Sequence, residues 1–83
     1  MPKIPRDVSG RGLADLLKKY GYEVDREKGS HIRLSSAYKS QSHKITIPDH
    51  KEIKIGTLNN ILNEVANYLG ITKTELVEYL FPK

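Results

Sequence analysis

The stretch Lys28-Gly29-Ser30-His31-Ile32-Arg33-Leu34 sets a histidine directly after a Gly-Ser turn, at the head of a run in which apolar and polar residues alternate. Side chains of a strand point to opposite faces in turn, so Ile32 and Leu34 go to one side and His31, Arg33 and Ser35 to the other. A core takes Ile32 and Leu34. An imidazole and a guanidinium are then left together on an open face, an arrangement suited to holding a phosphodiester and moving protons.

The rest of the fold follows outward from this strand. On its N-terminal side Tyr22, Val24 and Arg26 alternate with Glu23, Asp25 and Glu27, which reads as a first strand with one partly buried face. Lys28-Gly29-Ser30 turns the chain, so the second strand, His31 to about Ser36, pairs with the first as a hairpin. Upstream, Ser9 can cap a helix in which Leu13, Leu16, Leu17 and Tyr20 form one apolar stripe before Gly21 ends it; the spacing predicts a helix from about Ser9 to Tyr20.

Downstream, the serine-rich stretch Ser35 to Ser42 is too polar to bury and reads as a mobile hairpin loop or fraying strand ends. Ile45 and Ile47 mark a third strand that Pro48 stops, and Asp49-His50-Lys51-Glu52 follows as a loop. Gly56-Thr57 signals a second helix with Thr57 as cap; Leu58, Ile61, Leu62, Val65 and Leu69 make its apolar stripe and Gly70 its stop. Thr72-Lys73-Thr74-Glu75 is a capping box that opens a short helix carrying Leu76, Val77, Leu80 and Phe81, closed by Pro82. The expected class is α+β, with an α-β-β-β-α core: a three-stranded antiparallel sheet, both main helices on one face, a short C-terminal helix, and the other sheet face open.

Size and charge narrow the function. A chain of 83 residues supports one domain, residues 1–83, with a small core and little apolar surface for a deep pocket, so a shallow surface site is expected. With 37% hydrophobic and 29% charged residues the composition is that of a globular domain, not of a disordered or membrane protein. No apolar run is long enough to span a bilayer, and Met1-Pro2-Lys3-Ile4-Pro5-Arg6 lacks the apolar core of a signal peptide. Cysteine is absent, so a cytoplasmic setting is expected and disulfides are not. The net charge of +4 lies wholly in residues 1–50, which hold ten Lys and Arg against six Asp and Glu. A basic front half fits a polyanion such as nucleic acid; on its own, such a balance more often belongs to a solvated surface.

Lys28-Gly29-Ser30-His31 on the second strand, Thr46-Ile47-Pro48-Asp49-His50, and Gly56-Thr57-Leu58 with Ile61-Leu62 together resemble the HicA toxin family in order and spacing, over nearly the whole chain. The resemblance implies a fold like the double-stranded RNA-binding domain, cleavage of messenger RNA, and neutralisation by a cognate HicB-type antitoxin. It maps the family's catalytic histidine onto His31. The chain departs from the family pattern in its serine-rich loop and at Asn59-Asn60, where a basic residue is common.

RNA cleavage through the neighbouring 2′-hydroxyl needs a base, an acid for the leaving 5′-oxygen and positive charge at the phosphate. Histidine exchanges protons near neutral pH and can fill either proton role, so His31 is the candidate base or acid. Arg33, two residues on, can hold the phosphate bidentately; Lys28 adds charge beside the turn, and Ser30 can orient the imidazole or contact phosphate. No metal-ligand spacing and no Ser-His-Asp set points to another chemistry, so no cofactor or metal is expected. Duller readings stand beside these. His31 and Arg33 can be ordinary exposed strand residues, His50 a loop-stabilising residue, His43 a half-exposed strand-start residue, and Lys18-Lys19 a complement to the helix dipole. Tyr38 could stack on a base. The rival functions are an RNA-binding module of the same fold without catalysis, and an interaction protein whose basic sheet face docks an acidic partner.

Overall fold

The protein is described by a computed structural model covering residues 4–82; the Met1-Pro2-Lys3 start lies outside them. Its elements run α1 (Gly10–Leu17), a 3-10 turn (Lys18–Tyr20), β1 (Tyr22–Lys28), β2 (His31–Ser36), β3 (His43–Pro48), α2 (Ile55–Leu69) and α3 (Lys73–Leu80). The sheet is antiparallel in the order β1-β2-β3, with the strand of the histidine in the centre. This is the α+β class and the α-β-β-β-α order expected.

Each helix buries the stripe its sequence carries. Leu13 and Leu17 of α1, Leu58, Leu62 and Val65 of α2, and Leu76 and Leu80 of α3 are sealed from solvent with Ile32, Leu34 and Ile47 of the sheet. Tyr22 is fully buried in the same core, where its ring packs edge-on to His43 and Tyr68. Ser9 caps α1 by accepting a hydrogen bond from Gly12 N–H at 2.9 Å, and Thr72 and Glu75 complete the capping box of α3.

Three expectations are corrected. The first α-helix stops at Leu17; Lys18–Tyr20 tightens into a 3-10 turn before Gly21, at φ 79°, redirects the chain into β1. The second main helix starts three residues earlier than expected, with Lys54 in place of Thr57 as N-cap and Thr57 inside the first turn. Its start is set by Ile53, which is buried and donates its N–H to Val8 O at 2.8 Å, so the chain reaches the core before the capping residue appears. The third correction lies in β1: Arg26 does not share the face of Tyr22 and Val24, because the strand changes register between Val24 and Arg26.

The polar 37–42 loop is tied down by side chains at both of its ends: Ser36 Oγ accepts the Tyr38 N–H at 3.2 Å, and Tyr68 holds the stretch beyond it. The Tyr68 hydroxyl accepts the Lys39 N–H at 2.9 Å and lies 2.5 Å from the Gln41 carbonyl, to which it donates.

Candidate functional site

The register change in β1 decides the charge of the open sheet face. Val24 pairs with Leu34 and Arg26 with Arg33, so Asp25 is an extra residue, a β-bulge. Strict alternation would put Glu23, Asp25 and Glu27 on the open face and Arg26 and Lys28 on the helix side. Past the bulge the parity reverses. Arg26 and Lys28 join His31 and Arg33 outside, while Glu27 pairs with Ile32 and turns to the helix side, where Arg11 of α1 meets it. One inserted aspartate thus turns the histidine end of this face from acidic to basic.

The result is a shallow groove of about 480 Å³ lined by Arg26, Lys28, His31, Arg33 and Thr46. Lys28 is the cross-strand partner of His31, and Arg33 is flanked by Arg26 on β1 and Thr46 on β3. Such partners lie about 5 Å apart between Cβ atoms, so three cations and an imidazole share a patch the size of a nucleotide phosphate and its sugar. His31, Arg33, Lys28 and Arg26 are exposed. Farther along the same face Ser35 donates to Asp25 at 2.9 Å, which keeps that carboxylate engaged away from the cations.

Backbone contacts fix the position of the histidine. Ser30, just before it, accepts a hydrogen bond from Asp49 N–H at 2.7 Å, which joins the β1–β2 turn to the loop after β3. The same loop is held to α1, since Gly10 N–H donates to His50 O at 3.0 Å and Arg11 reaches Asp49 at 3.3 Å as well as Glu27. Both carboxylates hold the Arg11 guanidinium firmly in its charged form, the Glu27 hydrogen bond most of all. Gly10 is required here by close approach: a Cβ on it would sit 2.1 Å from Pro48 O.

Of the residues singled out from sequence, Lys28, His31 and Arg33 come together in the groove, and Ser30 stands beside it in the turn, where its carbonyl is the anchored group. Arg26 was missed, and the missing signal is the bulge, which strand alternation does not reveal. Thr46 was missed as a lining residue, although the third strand's parity opposite Arg33 carries it. The other histidines stand apart. His43 is half-buried on the helix side, shares a 2.6 Å hydrogen bond between its Nδ1 and the Tyr22 hydroxyl, and stacks on Tyr68 with ring centroids 4.9 Å apart. His50 is exposed and holds α1 through its carbonyl. Lys18 pairs with Asp15 at 3.2 Å and Lys19 lies over the Tyr79 ring, while Tyr38 packs edge-on to Tyr20.

Among the described residues no three His, Asp or Glu side chains gather as a metal-binding group, and no helix is long and apolar enough to cross a membrane. Fold and groove define a small α+β protein that offers an anion a cationic patch with one imidazole at one end of an open sheet face. The family model of the HicA toxin of bacterial toxin-antitoxin systems matches residues 10–66, from the first residue of α1 into the last turn of α2. The chain belongs to the HicA toxin family. Neither the comparison with curated proteins nor that with solved structures finds a match.

Proposed function

We propose that this toxin is an endoribonuclease of messenger RNA, acting as a single domain in the cytoplasm and held in check by a HicB-type antitoxin. The observation that supports this most is the company of His31: an exposed imidazole among Arg26, Lys28 and Arg33 on an open sheet face. In the reaction the 2′-oxygen of a ribose attacks the adjacent phosphorus, its proton passes to a base, the bond from phosphorus to the 5′-oxygen breaks, and an acid protonates that oxygen. The products are a 2′,3′-cyclic phosphate and a 5′-hydroxyl. His31 performs one of the two proton transfers, and the guanidinium and ammonium groups neutralise the charge that builds on the phosphate oxygens. A shallow groove leaves the flanking RNA room to run along the sheet, as an internal cut requires. The antitoxin, on this reading, silences the toxin by covering the groove, so residues 26–33 become protected from hydrogen exchange in the complex.

The test is incubation of the protein, and of His31→Ala, with a defined RNA in the presence of a chelator. Fragments ending in cyclic phosphate from the native protein alone would support the proposal. Intact RNA in both reactions, with salt-sensitive binding retained, would replace it with a non-catalytic RNA-binding module.

A further inference from the structure

A second groove adjoins the first. Arg33 and Thr46 line both, and beyond them a groove of about 510 Å³ runs between the edge strand β3 and the N-terminal half of α2, bounded by Thr57, Asn60 and Glu64. Its chemistry differs from that of the histidine groove. Its charges are mixed, Lys44 and Arg33 on the sheet side against Glu64 on the helix, while Asn60 and Thr57 offer neutral donors and acceptors and the edges of Ile45 and Ile61 form an apolar wall. A site with this character accepts the uncharged base of a nucleotide whose phosphate lies on the cations next door.

We propose that the β3–α2 groove is a nucleobase subsite that selects guanine beside the phosphate held by Arg33, an inference that rests on the RNA reading above. Asn60 and Glu64 are one helical turn apart on α2, which sets their Cβ atoms about 6 Å from each other on the same face. The two oxygens of a carboxylate match two adjacent N–H donors. Guanine alone among the four bases presents such a pair, N1–H and the 2-amino group, with O6 next to them as acceptor for the Asn60 amide. Uracil offers one N–H between two carbonyls, one of which would face the carboxylate. Adenine and cytosine each offer a single amino group beside an acceptor nitrogen. In single-stranded RNA this edge is free to be read, and the flat face of the base lies along the isoleucine wall.

The test uses 2′-O-methyl trinucleotides with uracil at both ends and each of the four bases in the middle, which lack the attacking hydroxyl and so cannot be cut. Binding to the native protein, Asn60→Ala and Glu64→Gln is followed by the shift of backbone amide signals in residues 57–64 and 26–33. The expected result is that the guanine probe binds about tenfold more tightly than the uracil probe, with both segments shifting, and that Glu64→Gln brings the ratio close to one. Equal affinity for all four probes, no binding of any, or an unchanged ratio in Glu64→Gln would overturn the proposal. Cleavage of unmodified RNA by the native protein and by His31→Ala is measured alongside. A guanine preference without cleavage would leave the subsite standing and remove the nuclease, whereas cleavage without a preference would do the reverse.

Discussion

Arg26 and Arg33 face each other as cross-strand partners on the open side of the sheet, two guanidiniums where an opposite pair would be the more stable choice. Like charges directly opposite destabilise a sheet by about 0.2–1 kcal/mol. Their juxtaposition makes sense if an anion sits between them. Arg26→Gln is therefore expected to leave stability unchanged or raise it within that range, while weakening RNA binding. The logarithm of affinity should also fall less steeply with the logarithm of salt, the slope dropping by about 0.7 for one lost contact to a single strand. Urea unfolding and salt-dependent anisotropy on the same variant check the two halves together.

Gly10 and Gly56 both lie in the first turn of a helix, and alanine at each should have opposite effects. At Gly10 a Cβ meets Pro48 O at 2.1 Å, a backbone atom that can move only by displacing the loop that anchors Ser30. Gly10→Ala is expected to destabilise by about 1–3 kcal/mol, as overpacking does. At Gly56 nothing lies within 4 Å, and Gly56→Ala is expected to stabilise by up to about 1 kcal/mol through helix propensity. Thermal unfolding of the pair reads the difference in sign.

Burial above all, with the Tyr68 and Glu64 charges adding to it, raises the Tyr22 hydroxyl well above the ordinary tyrosine value. The unfolded chain loses this proton near pH 10, so stability from the neutral phenol is complete below about pH 10 and declines as the pH rises further. Tyr22→Phe is expected to abolish that contribution to alkaline loss. At neutral pH it should cost about 0.5–1.5 kcal/mol for the hydrogen bond shared with His43. Denaturation midpoints at pH 8 and above pH 10, on both proteins, test this.

Thr72 accepts the Glu75 N–H at 3.0 Å and Glu75 returns the contact to Thr72 N–H at 3.2 Å. Thr72→Ala is expected to cost about 1 kcal/mol. The loss should appear as faster amide exchange over Lys73–Leu80, since α3 packs its Leu76, Val77 and Leu80 onto the core from outside the matched family region. Exchange in β2 should change far less.

What the sequence determined by itself was whatever depends on neighbours along the chain. Helical stripes, the Ser9 and Thr72 caps, the strand alternation of Ile32 and Leu34, and hence the outward aim of His31 and Arg33, all follow from spacings of two, three and four residues. Three features were decided only by the tertiary structure. Arg26 reached the groove because β1 had to match β2 while burying Tyr22 at one end and setting Glu27 against Arg11 at the other, and the strand absorbed Asp25 as a bulge to do both. The start of α2 was fixed by Ile53 entering the core, which overrode the local cap signal at Thr57. The groove between β3 and α2 exists only because two segments distant in sequence pack side by side. Contacts of that kind leave no period in the chain, so no local pattern could announce them.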